Sequence, residues 1–157
     1  MTYQISGLSA EQFAPLFALS DAELAAQGAM RVTAAASRGY PCRVSLEDAG
    51  AGEELILLHH TSHDVATPYR SAYAIYVRQT ARQAGPFVDA VPPVFAGRPL
   101  GLRGFGNDGL LKDAKLALPD QADLAIRDLF ANPDVAYIDA HNAAHGCFSA
   151  RIERHDD

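Results

Sequence analysis

Four residues near the C-terminus concentrate the chemistry of this chain: His141, Asn142, His145 and Cys147. The run His-Asn-Ala-Ala-His-Gly-Cys brings imidazoles, an amide and a thiol into one short stretch. A thiolate activated by an imidazole and oriented by an amide is the equipment of a nucleophilic cysteine. Residues 136–151 read as two strands folded back through a short turn. If residues 143–146 form a four-residue loop, Asn142 pairs with Cys147 and His141 faces Phe148 across the hairpin. Asp139 and His141 then share a face by the period of two. On that register the thiol and His141 lie on different faces. Pairing them takes a bulge, which Gly146 permits, or else His145 of the loop serves as the base. The alternative is a Cys147 that acts as a small apolar residue, with Asn142 satisfying the turn backbone.

Two further clusters carry potential chemistry. His59, His60, His63 and Asp64 follow an apolar run and are expected on a loop at a strand end, where such residues can ligate a divalent ion. The spacing lacks the Glu of a helix-borne His-Glu-x-x-His site, so a solvated polar loop is the expected arrangement and no metal is assigned. The arginines Arg43, Arg70 and Arg103 are candidates for gripping a carboxylate or phosphate, because the guanidinium fork matches both. Asp48, Asp113 and Asp139 are the alternative, structural partners for Arg103. The Gly50-x-Gly52 pair precedes a strand rather than a helix, so it is no phosphate loop. The chain has no Walker motif and no Gly-x-Ser-x-Gly, and no cofactor is implied.

The elements that must position these groups are legible in outline. The 157 residues predict one domain with a self-sufficient core. An apolar fraction of 48% and a net charge of −6 predict a soluble globule, with neither nucleic acid nor membrane as partner. No secretory leader and no run near the roughly 20 apolar residues of a membrane span is visible, so a cytoplasmic location and two reduced thiols, Cys42 and Cys147, are expected.

Capping-box patterns at Ser9–Gln12 and Ser20–Glu23 predict two N-terminal helices, the first shortened by Pro15 and the second stopping at Gly28. Strands are expected at Tyr3–Ser6, Met30–Thr33, Glu53–Leu58 and Ser71–Val77. Residues 79–99, rich in proline, are read as an irregular wrap with Phe87, Val91 and Phe95 on the core, or as a lid over a site. Gly106-Asn-Asp-Gly109 predicts a hairpin. Asp120 is expected to cap a helix with Ala122, Ile126, Leu129 and Phe130 on its apolar stripe. Strands in the middle and helices near both ends make the fold class α+β: a single domain, 1–157, mainly antiparallel sheet with two N-terminal helices and one C-terminal helix packed on it.

Several of these segments together resemble a bacterial family of uncharacterised proteins, Domain of Unknown Function 1203. The resemblance rests on residues 41–49 (Pro-Cys-Arg-Val-Ser-Leu-Glu-Asp-Ala), 52–58 (Gly-Glu-Glu-Leu-Ile-Leu-Leu), Pro68-Tyr-Arg-Ser71 with Ile75-Tyr-Val-Arg78, the Gly109 hairpin, and 137–148. It implies no activity. It does imply that Cys42, Arg43, Pro68, Tyr69, Arg70, His141, Asn142, Gly146 and Cys147 belong to family motifs. His59-His60 departs from the Asn-Tyr-like pair expected there, which speaks against a metal role as a family property.

Three functions follow as alternatives. The first is a binding module for a small anionic ligand or acidic peptide terminus, gripped by Arg43 and Arg70 and oriented by Tyr69 and Asn142, where the Pro41–Arg43 turn, the Pro68–Arg70 turn and the C-terminal hairpin converge. The second is a cysteine-dependent enzyme with Cys147 as nucleophile and His141 or His145 as base. The third is a structural or protein-interaction domain without a site. Whether the chain is an enzyme, and its oligomeric state, stay open.

Overall fold

The computed structural model describes residues 1–156 and is α+β, as expected. Nine strands form among the described residues: β1 (Thr2–Ser6), β2 (Met30–Thr33), β3 (Glu54–His63), β4 (Ser71–Arg78), β5 (Phe87–Val88), β6 (Leu100–Phe105), β7 (Leu111–Ala117), β8 (Tyr137–Asn142) and β9 (Phe148–His155). Two α-helices accompany them, α1 (Asp21–Ala26) and α2 (Ala122–Phe130). The strands make two antiparallel sheets, one in the order β5-β1-β9-β8-β6-β7 and one in the order β2-β3-β4.

The larger sheet turns one face to α2. Tyr3, Ile5, Leu100, Leu102, Ile138, Ala140 and Ile152 meet Ile126, Leu129 and Phe130 there in the main core. The expected stripe of α2, Ala122, Ile126, Leu129 and Phe130, is buried in full. A second core lies beneath the smaller sheet, where Phe13, Cys42, Val44, Ile75 and Val77 pack with Leu16, Phe17 and Leu58.

Three local expectations are corrected. Ser9 makes no side-chain cap, and the segment folds as short 3-10 turns over Ala10–Gln12 and Ala14–Ala18. Pro15 lacks the N–H that an α-helix through this region needs. Ser20 does form the full reciprocal box with Glu23. Asp120 does not cap α2: its backbone takes φ +64° and its carboxylate instead accepts the Gly97 N–H at 3.0 Å. His59, His60 and His63 are strand residues of β3, not loop residues, because the pairing of β3 with β4 runs on to His63 against Ser71. The 79–99 segment wraps the core: Phe95 is buried, Phe87 is half-buried, and β5 adds to the edge of β1, while Val91 stays exposed.

The two sheets meet through polar and aromatic groups rather than through aliphatic ones. His63 is held between the Tyr69 carbonyl at 2.9 Å and the Tyr137 hydroxyl at 2.8 Å. Arg151 grips Asp139 at 2.7 and 3.0 Å and donates to the Ser62 carbonyl at 3.1 Å. Asp139 is only 1% exposed, so losing its partner would strand a buried charge. Replacing Arg151 by Ala should lower the unfolding free energy by about 2–4 kcal/mol, below the full buried-pair range because Arg151 itself is partly solvated. Asp139→Asn combined with Arg151→Met should recover most of that loss. Urea melts of the single and double variants measure both, and equal losses in the two would exclude this account.

Candidate functional site

The C-terminal hairpin folds on the expected register. Asn142 N–H donates to the Cys147 carbonyl at 3.0 Å, Gly146 N–H closes the loop onto the Asn142 carbonyl at 2.7 Å, and His141 lies opposite Phe148. Gly146 takes φ +76°, the left-handed conformation that glycine adopts without strain. A register shift follows between Ala140 and His141. The bulge does not bring His141 to the thiol. His141 Nδ1 instead pairs with the Gly146 carbonyl at 3.0 Å, and its ring packs edge-on against Tyr73. Among the described residues neither His141 nor His145 hydrogen-bonds Cys147.

The partners of Cys147 are an arginine and the amide. Arg43 Nη2 donates to its sulfur at 3.1 Å, and Asn142 Nδ2 approaches it at 3.6 Å. The segment that brings Arg43 here is a tight turn. Pro41 bridges Asp48, Cys42 N–H bonds the Glu47 carbonyl, and Arg43 N–H bonds the Tyr76 carbonyl of β4 at 3.1 Å. The side chain then runs to the hairpin, where Nε donates to the Phe148 carbonyl at 2.8 Å and Nη1 to the Pro41 carbonyl. Arg43 is 2% exposed, yet no carboxylate pairs with it among the described residues. Burial pushes its pKa down, and the adjacent sulfur of Cys147 works in the opposite direction.

These groups face a cavity of about 500 Å³ between the sheets. Arg43, Asn142, His145 and Cys147 supply its polar wall, and Leu57, Ala74, Tyr76 and Pro99 much of the apolar one. Arg98 also lines it and went unnoticed in the sequence; its position between Gly97 and Pro99 in the wrapping segment was the only signal. It is bound to both oxygens of Asp48 at 2.8 Å. Asn142 is 7% exposed, and its Oδ1 is buried without a hydrogen-bond partner.

The other nominated residues lie elsewhere. Tyr69 and Arg70 sit beyond the far end of β6, with the Tyr69 ring 6.1 Å from that of Phe105, while the cavity adjoins Pro99 and Leu100 at the near end. Five residue steps along β6, from Leu100 to Phe105, separate the two ends, about 17 Å. Arg70 pairs with Asp64 at 3.0 Å, both exposed. Arg103 lies between the ends and donates to the Tyr73 hydroxyl at 3.1 Å. The β3 histidines diverge: His59 is exposed, His60 packs against Phe13, and His63 is buried. No group of three or more potential metal ligands converges among the described residues. Cys42 and Cys147 are free thiols, and Cys42 is buried with its sulfur accepting the Ser45 and Arg78 N–H groups.

An α+β domain with a largely apolar cavity, polar along one wall, between two antiparallel sheets is the class of protein this geometry defines. The chain belongs to the family described as "Protein of unknown function (DUF1203)", whose model matches residues 39–154. No curated protein and no solved structure matches it. The match includes every residue that lines the cavity. No helix among the described residues is long and apolar enough to cross a membrane.

Burial lowers the pKa of His141, the positive charge of Arg103 lowers it further, and the Gly146 carbonyl and Asp139 partly oppose this, with His63 adding to the depression. The unfolded chain therefore binds a proton at this position before the folded one does. Stability should be fully present above the unfolded pKa of about 6.5 and fall as the pH drops below it. His60, also depressed by burial, acts in the same direction. Urea midpoints at pH 7.5 and 5.5 should differ in the wild type and differ less in His141→Phe; an undiminished difference would remove His141 from the account.

Proposed function

We propose that this chain is a binding module for a small anionic molecule, held in the cavity by Arg43 and Asn142. The observation that carries this reading is a guanidinium buried in the cavity wall without a carboxylate partner among the described residues. A guanidinium has five N–H donors, and three are used here, by Phe148, Pro41 and Cys147, leaving two for a ligand. A carboxylate or phosphate supplies matching acceptors and the missing charge. Asn142 Oδ1 adds a second requirement. A buried acceptor without a donor costs free energy, so the favoured ligand carries an N–H or O–H near its anionic group. The apolar wall of Leu57, Ala74, Tyr76 and Pro99 suits a hydrocarbon portion between or beside them. Arg70 and Tyr69 have no part in this reading, since they stand at the far end of β6.

N-acetyl-leucine combines a carboxylate, an amide N–H and an apolar side chain, and makes a simple probe. Calorimetric titration under reducing conditions should detect its binding, and N-acetyl-leucinamide, which lacks the charge, should bind far more weakly. Arg43→Met should weaken the acid about ten- to a hundredfold, the range for a hydrogen bond to a charged group. If the uncharged amide binds as well as the acid, or if Arg43→Met leaves the affinity unchanged, the cavity is not an anion site.

A further inference from the structure

Cys147 stands in the wall of this cavity, where anion binding alone does not require a thiol. Its sulfur lines the cavity, is partly exposed, and receives two donors, Arg43 Nη2 at 3.1 Å and Asn142 Nδ2 at 3.6 Å. Both donors approach the sulfur where it borders the cavity, and a deprotonated sulfur is the nucleophile of thiol–disulfide exchange. Cys42 does not offer itself as a partner. It is buried in the second core among Phe13, Val44, Ile75 and Val77, and its sulfur is held by the Ser45 and Arg78 N–H groups. A disulfide partner for Cys147 must therefore come from solution and be small enough for a cavity of about 500 Å³. That partner meets the same guanidinium and the same orphaned acceptor, Asn142 Oδ1, as any other ligand.

Resting on the anion-binding reading above, we propose that Cys147 exchanges with small disulfides that carry carboxylates and amide N–H groups, becoming a mixed disulfide inside the cavity. The Cys147 thiol gives its proton to solvent, and its sulfur attacks one sulfur of the small disulfide. A new bond forms from Sγ to that sulfur, the original S–S bond breaks, and the departing thiolate leaves with the electron pair and is protonated by water. Cys147 is oxidised to a disulfide while half of the small disulfide is reduced to a thiol. Arg43 holds a carboxylate of the bound half, and Asn142 Oδ1 accepts an amide N–H.

Net charge gives this proposal a sharp test. At −6, the chain as a whole favours a cationic disulfide, so a preference for an anionic one must come from the local field of the cavity. Glutathione disulfide (anionic, with amides) and cystamine (cationic, without) are the probes. Adduct formation is followed by mass spectrometry, and each rate is divided by that of a short unstructured cysteine peptide. The expected result is a single adduct on Cys147, with glutathione disulfide favoured over cystamine by about tenfold or more. The preference should shrink in concentrated salt, a readout that needs no variant, and it should be lost in Arg43→Met. An equal or cationic preference, or modification at Cys42 instead, overturns the proposal. The binding reading is judged separately by the N-acetyl-leucine titration under reductant. Acid binding without anionic preference in exchange defeats this inference alone, and anionic preference without acid binding defeats that reading alone.

Discussion

The guanidinium of Arg43 ties the two halves of the site together. Its backbone belongs to the turn beside β4, and its side chain ends on the β8–β9 hairpin, spending Nε on the Phe148 carbonyl and Nη2 on the Cys147 sulfur. Few side chains could do this. Lysine offers a point charge on a flexible stem, whereas the planar fork of arginine sends donors in several fixed directions at once. The cost is large, since a buried cation loses its hydration, and effective penalties run to several kcal/mol per ion. Carbonyl dipoles and a polarisable sulfur offset part of it. Without this tie the turn and the hairpin would share the cavity wall with no direct bond between their polar groups there.

The way the sheets meet explains why a cavity exists at that place. The face of the larger sheet that packs on α2 is aliphatic and closely filled. Its contacts with the smaller sheet are made by Asp139, His141, Arg151 and Tyr137, met by Tyr73, His63 and the Ser62 carbonyl. Hydrogen bonds and ring contacts specify distances and angles more narrowly than aliphatic packing does. They fix the separation of the sheets along the middle of β8, while the hairpin tip, which holds small residues Ala143, Ala144 and Gly146, cannot fill the space that remains. Arg43 and Asn142 then sit on the wall of a space that aliphatic side chains would otherwise have closed.

Local pattern made much of this legible in the sequence. The loop length of the last hairpin placed Asn142 opposite Cys147, the Asn-Asp-Gly turn placed β6 beside β7, and the spacing of Ile126, Leu129 and Phe130 gave the buried stripe of α2. What escaped depended on long-range geometry. Arg43 and Cys147 are 104 residues apart, and nothing local to either names the other. The reach of β3 was also hidden: its pairing continues through polar residues to His63, past the point where apolar patterning stops. That extension carries Tyr69 and Arg70 away from the Pro41 turn. Caps failed where the backbone had other demands, as at Asp120, whose left-handed conformation aims its carboxylate at Gly97.

The distribution of carboxylates is the most telling feature of the site. The turn that carries Arg43 also carries Glu47 and Asp48, either of which lies close in sequence. Both are committed elsewhere, Glu47 to Arg78 and Asp48 to Arg98. A chain with 19 acidic residues against 13 basic ones thus leaves its most buried arginine without one among the described residues. If the bonds to Phe148 and Pro41 were the whole purpose of residue 43, a neutral amide could make them without desolvating a charge. The charge is costly unless something negative approaches it. The sulfur of Cys147 is already in contact and the cavity lies open beside it, so the same cation can serve a thiolate and an incoming anion in turn. An anionic disulfide would present both demands at once, so the proposed binding and the proposed exchange would meet at one guanidinium rather than at two separate sites.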